Sequence, residues 1–329
     1  MTSRRAFLGT SLTIPVLAMS SACSRSPGWR AAAVRRTPSS RVAILSAPSY
    51  AGPLVETVLN GLKLCSLPVQ GRRVVLKPNL VEFEANTPIN THPAVIAAAI
   101  DAFRARGARE VVVAEGPGHR RDTEQILLAS GLHDVLRERR VRFVDLNEDE
   151  IIPLRVQSDF TGFHRLYLPE TVVKADLVVS MPKLKMHHWV GVTLSLKNMF
   201  GVVPGSVYGW PKNALHWAGI HESVVDINST LPAPRFAIVD GIVGMEGNGP
   251  IHGTPRPSGV LIFGEDMVAV DATAARVMQV EPHKVPYLAS AGEFLGNIAA
   301  ERIVQAGVSP DSVWQDFAVI EAFRHLKRG

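Results

Sequence analysis

Six short apolar runs recur along the chain: RVAILS (41–46), RVVL (73–76), EVVVA (110–114), ADLVVS (175–180), RFAIVD (235–240) and GVLIF (259–263). Runs with so little polar alternation are the mark of strands covered on both faces. Helix-length segments separate the first of them. Residues 53–64 read as a helix. A second is capped by Thr91, carries Pro93 in its first turn, and continues over 94–106 to close at Gly107. Asp122 caps a third that runs to Ser130 and stops at Gly131. With a strand over 141–146, the alternation predicts βαβ units around a parallel sheet.

The middle of the chain reads differently. Residues 151–156 and 164–168 alternate as two strands of a hairpin. Further helices are predicted over 190–200, 220–231, 266–278 and 298–305, and residues 201–216, rich in Gly, Pro and Trp, read as an ordered loop. The fold class predicted is α/β: a mostly parallel sheet flanked by helices, with an inserted middle region containing antiparallel strands. Residues 41–329 are expected to form a single domain, or two intimate lobes divided near residue 150.

In open parallel sheets, ligands sit beyond the carboxyl ends of the strands. Polar clusters follow four of the runs: Lys77-Pro78-Asn79 after RVVL, Glu115-Gly116 after EVVVA, Lys183-Leu184-Lys185-Met186-His187-His188 after ADLVVS, and Asp240 after RFAIV. Lysine usage sharpens the pattern. The chain has 26 Arg and only 9 Lys, and Lys77, Lys183, Lys185 and Lys197 fall in or beside these clusters. A lysine suits an anion as a compact point charge, and burial readily lowers its pKa.

Binding of an anionic small molecule is therefore expected of Lys77, Lys183 and Lys197, with Asn79, Asn198 and His216 orienting it. Proton movement is expected of His187, Glu115 and Lys185. Gly116 and Gly118 let backbone N–H groups approach an anion, but the segment Gly116 to Arg121 is not a dinucleotide fingerprint. Asp240 and Glu246, with Asp271 nearby, offer oxygen ligands to a divalent cation such as magnesium. The alternative for Asp240 and Asp271 is a turn cap and a helix ion pair.

The basic balance, 35 Lys and Arg against 30 Asp and Glu with a pI near 9.4, invites a polyanionic partner. Its distribution argues otherwise. Residues 1–41 hold seven arginines and no acid; residues 42–329 hold 28 basic and 30 acidic side chains, a net of −2. No nucleic-acid partner is expected.

Ser3-Arg4-Arg5-Ala6-Phe7-Leu8 followed by an apolar stretch to Met19 is a twin-arginine export signal, too short to span a bilayer. The partner it implies is the twin-arginine translocation machinery, and the expected destination is the periplasm or a membrane outside the cytoplasm. Cleavage is expected near Ala22 and Cys23, where Cys23 is also placed for a lipid anchor. Residues 24–40, without hydrophobic period, read as a flexible basic linker.

Lys77-Pro78-Asn79-Leu80, Thr91-His92-Pro93, Glu115-Gly116, Pro182-Lys183-Leu184-Lys185-Met186-His187, Ser195-Leu196-Lys197-Asn198 with Gly201, His216, Val239-Asp240-Gly241, Met245-Glu246-Gly247-Asn248-Gly249-Pro250 and Val270-Asp271 occur in this order. The ordered set resembles the domain of unknown function 362 family, from about residue 41 to beyond 280. The resemblance implies the α/β core domain of that family. Many of its members carry an appended ferredoxin-like segment. This chain, with only Cys23 and Cys65, departs from those, so no iron–sulfur cluster is expected from it alone. Three functions remain open: an exported enzyme acting on an anionic small molecule, a non-catalytic protein that captures a ligand or metal complex, and a redox-associated protein.

Overall fold

The computed structural model describes residues 33–118 and 122–328. Twelve strands appear among them: β1 (Ser40–Ser46), β2 (Arg73–Pro78), β3 (Glu110–Glu115), β4 (Phe143–Asp145), β5 (Ile151–Arg155), β6 (Arg165–Pro169), β7 (Leu177–Met181), β8 (Lys183–His187), β9 (Gly191–Thr193), β10 (Arg235–Asn248), β11 (His252–Gly264) and β12 (Ile303–Gly307). Ten form one sheet of order β12-β1-β11-β10-β7-β2-β3-β4, in which β8 pairs with the outer part of β10 and β9 with β8. The run β10-β7-β2-β3-β4 is parallel. β11 runs antiparallel to both β1 and β10. β5 and β6 make a separate antiparallel hairpin. The architecture is the α/β arrangement expected, and strands from 41–150 and 151–329 are interleaved in one sheet.

The apolar runs are unbroken because both faces of the sheet are covered. On β2, Val74 and Leu76 enter one core with the helices Leu54–Leu64 and Pro93–Ala105, while Val75 enters the other. β10 alternates the same way, Phe236 and Ile238 against Ala237 and Val239. The second core is closed by the helices Ile220–Thr230, Met267–Val277 and Pro286–Phe294.

Several local expectations are corrected. The cap of helix Pro93–Ala105 is His92, whose Nδ1 accepts from Ala94 N at 3.1 Å. Thr91 instead ties strand ends together: its Oγ1 accepts from Asn79 N at 2.8 Å and donates to Met181 O. The helix expected over 190–200 is only Ser195–Asn198, because Gly191 takes φ +84° at the turn out of β8 and the β-branched Val192 and Thr193 continue as β9. The helix expected over 298–305 is a 3-10 turn followed by β12, drawn into the sheet as a parallel edge beside β1.

The twin-arginine segment, its cleavage point and Cys23 lie outside the described residues. Of the expected linker, residues 33–40 lie on the body. Arg35 donates to Ser229 O and Leu231 O at the end of helix Ile220–Thr230, and its backbone N–H donates to Phe294 O. No helix of the described residues is long and apolar enough to cross a membrane.

Candidate functional site

The segment after β7 is a strand rather than a loop. Pro182 interrupts pairing, and Asp240 N donates to its carbonyl at 2.9 Å. The chain then continues as β8. The alternation Lys-Leu-Lys-Met-His sends Leu184 and Met186 into the core and leaves Lys183, Lys185 and His187 on the opposite side. β8 thus carries polar side chains past the carboxyl ends of β2 and β3, where a cavity of about 400 Å³ opens. Asn79, Glu115, Lys185, His187, Lys197, Asn198 and His216 all line it.

Beneath that cavity Lys77, fully buried, forms an ion pair with Glu115. Its Nζ also donates to Asn198 Oδ1 at 3.0 Å, and Asn198 Nδ2 returns a bond to Lys77 O at 3.1 Å. Burial pushes both partners toward their neutral forms, lowering Lys77 and raising Glu115, while each charge opposes the other's shift. Wherever the shared proton sits, the pair as a whole is neutral. Gly201 makes room for it: a Cβ there would collide with the Glu115 carboxylate and stand 2.7 Å from Lys77 Nζ.

The remaining lysines of the cavity have no acid of their own. Lys185 Nζ donates to Ile89 O at 2.7 Å. Burial, with Lys197, Lys183 and Lys77 nearby, holds its pKa well below the usual amine value. Lys197 is lowered to about 8 by burial and by Lys77. Lys212, which sequence reasoning passed over, is lowered to about 7, chiefly by burial, and donates to Gly116 O and Gly201 O at 2.7 and 2.9 Å. It holds φ +70°, an uncommon conformation for a side chain of its size. The scarcity of lysine that singled out the other four was the available signal for this fifth one.

His187 is neutral, lowered well below the usual imidazole value by burial and the neighbouring lysines. Its Nδ1 accepts from Trp189 N at 3.1 Å, so the ring proton sits on Nε2. His216 Nδ1 donates to Lys212 O at 3.0 Å, which leaves Nε2 as an acceptor. Three buried oxygens on the cavity wall have no hydrogen-bond partner among the described residues: Asn79 Oδ1, Glu115 Oε2 and Thr193 Oγ1. Such orphans are rare, and each calls for a partner such as a water, an ion or a ligand.

The fold separates Lys183 from this group. Lys183 sits opposite Asp240 in the β8–β10 register, and its Nζ donates to Asp240 Oδ2 at 2.7 Å and to Tyr50 Oη at 2.8 Å. Asp240 also accepts from Tyr50 Oη and His92 N. Its carboxylate is thereby committed, and Glu246, six residues on, accepts from Ala318 N and faces Arg256. The two acids are committed to separate partners, and β10 breaks register between them, so they do not form one cation site. Asp271, expected to pair with an arginine if structural, instead accepts from Ser195 N and Leu196 N at 2.7 and 2.9 Å and anchors the helix that carries Lys197. Among the described residues no group of three or more His, Cys, Asp or Glu is arranged to hold a metal ion. A larger cavity of about 640 Å³ is lined by Arg35 and Arg235, but both guanidiniums donate to carbonyls at the end of helix Ile220–Thr230.

Fold and site together define an α/β protein with a lysine-lined cavity at the carboxyl ends of its parallel strands. The chain belongs to the family described as domain of unknown function (DUF362), whose model matches residues 74–276. It is 31% identical over 262 residues to the thylakoid-associated protein sll1697 of Synechocystis, covering 76% of this chain and 78% of that protein. Among solved structures it is similar to the lactate racemase apoprotein of Thermoanaerobacterium thermosaccharolyticum, over 75% of this chain at 13% identity and a TM-score of 0.47. A second is a Thermotoga maritima structural-genomics protein, over 65% of this chain at 14% identity and a TM-score of 0.36. The chain spans 58% and 56% of those two structures.

Proposed function

We propose that this chain is an enzyme that holds a small anionic molecule in the lysine-lined cavity and moves a proton at it. One observation carries the reading. Lys185, Lys197 and Lys212 share a cavity whose one carboxylate among the described residues, Glu115, is already matched by Lys77. Burial first, and then the neighbouring positive charge, depress the lysines, and an anion would relieve the repulsion. The orphaned Glu115 Oε2 and a lysine titrating near pH 8 supply a proton acceptor and a donor close to the working range of an acid–base catalyst, and the neutral His187 offers a hydrogen bond through Nε2–H.

The test is titration calorimetry of the full chain with inorganic pyrophosphate and with small carboxylates, repeated on Lys185→Met. Binding by the wild type that weakens at least about tenfold in the variant supports the site; equal binding by both overturns it. Turnover of any bound carboxylate that vanishes in His187→Ala while binding persists separates an enzyme from a capture protein.

Export by the twin-arginine route, into the periplasm or onto a membrane through a lipid at Cys23, is part of the same proposal. Its support is the sequence from Ser3 to Cys23. A chain with Arg4 and Arg5 both changed to Lys is expected to stay in the cytoplasm on fractionation, and export of that variant would sink the idea.

A further inference from the structure

Five lysines cluster at this end of the sheet, and four are engaged: Lys77 by Glu115 and Asn198, Lys183 by Asp240 and Tyr50, Lys185 by Ile89 O, and Lys212 by Gly116 O and Gly201 O. Lys197 is different. Among the described residues its Nζ has no hydrogen-bond acceptor and rests 4.3 Å above the centroid of the Phe200 ring. A cation–π contact places the ammonium without tying any N–H to an acceptor, so once deprotonated the nitrogen can turn its lone pair toward a substrate. The position is rigid. Asp271 anchors Ser195 N and Leu196 N on one side of Lys197, and Asn198 is tied to Lys77 and Ser180 on the other.

We propose that Lys197 is the nucleophilic amine of the cavity and forms a Schiff base with the aldehyde or ketone carbon of an anionic substrate. The inference rests on the cavity reading above and names its substrate class: a carbonyl compound bearing a carboxylate or phosphate. The step balances without oxidant or reductant. The neutral amine attacks the carbonyl carbon, a C–N bond forms, and the carbonyl oxygen takes a proton to give a carbinolamine. The nitrogen loses a proton, the hydroxyl gains one, the C–O bond breaks and water leaves the imine. Glu115 lines the same cavity and is placed to relay those protons, and the neutral His187 is placed to hydrogen-bond the carbonyl oxygen through Nε2–H. Burial beside Lys77 also brings Lys197 to about 8, which gives it a far larger amine fraction at neutral pH than an exposed lysine has.

The experiment treats the full chain with glyoxylate and borohydride at pH 7.5 and maps the reduced carboxymethyl adducts by peptide mass spectrometry. The exposed Lys63, Lys174 and Lys284 serve as internal background. Lys197 is expected to be modified at least about tenfold faster than they are, and the Lys197→Arg chain, which keeps the charge, should show only background. Modification of Lys197 at the background rate, or of Lys185 or Lys212 in its place, overturns the proposal. Inorganic pyrophosphate separates it from the cavity reading. If pyrophosphate binds yet no adduct forms at Lys197, the Schiff base fails and the anion site stands. If Lys197 is selectively modified and pyrophosphate neither binds nor protects, the nucleophile stands and the anion site fails.

Discussion

Gly201 and Glu115 approach so closely that a single added methyl group cannot fit between them: an ideal Cβ on Gly201 would overlap the carboxylate and also touch Lys77. The glycine is therefore a spacing element for a buried ion pair. Gly201→Ala is expected to push Glu115 off Lys77 and strand two charges away from water. The expected loss is about 3 kcal/mol in urea unfolding, with weaker anion binding as the cavity wall shifts. A variant as stable as the wild type would show that the pair has room to move.

Lys183 and Asp240 form a second buried pair, outside the cavity. Lys183→Met alone leaves Asp240 charged among Tyr50 and His92 N, and should cost about 3–5 kcal/mol. Combining it with Asp240→Leu should recover much of that loss, because the desolvation penalty disappears with the pair. Pyrophosphate affinity should stay within about twofold in the double variant if it folds. A large loss of affinity there would return Lys183 to the anion site.

The contrast between Lys183 and Lys185 shows what the sequence can and cannot reveal. The apolar runs that became β2, β3, β7 and β10 were legible because burial on both faces leaves a continuous signature, and the clusters after them marked the correct end of the sheet. The sequence places Lys183 in the same site as Lys185 because only Leu184 separates them. The assignment fails on register: β10 continues beyond Asp240, which then lies opposite Lys183 and captures it. That extension through Gly241 and Gly244 carries no strong local propensity, so only pairing reveals it. Residues 191–193 carry a helical pattern yet form β9 for a related reason, since so short a β-branched stretch is fixed by its partner strand. Lys212 was missed because its loop has no periodicity, and its place is set by carbonyls distant in sequence.

His187 should remain neutral well below pH 6.5, since burial and nearby lysines oppose its protonation. Nitrogen-15 NMR of the histidine ring is expected to show the Nε2–H tautomer, with no midpoint at the ordinary imidazole value of about 6.5. A midpoint near 6.5 would mean that the cavity is wetter and less positive than the arrangement of Lys185 and Lys197 implies.

Lys197 sets a pH dependence whose sign follows from linkage. Its folded-state value, about 8, lies below the ordinary 10.5 of the unfolded chain. Below pH 8 both states are protonated and the burial penalty is fully present; between about 8 and 10.5 the unfolded chain binds more protons, so this group makes stability rise with pH. Lys197→Met removes the charge without leaving an acceptor unpaired. The variant should be more stable than the wild type by about 1–3 kcal/mol at pH 7, with the advantage fading toward pH 10.5. Pyrophosphate acts on the same equilibrium in the other direction. By favouring the ammonium it should draw protons onto the protein at pH 8, read as a buffer-dependent binding enthalpy that shrinks in Lys197→Met. Proton release on binding, or an uptake unchanged by the substitution, would place the anion elsewhere.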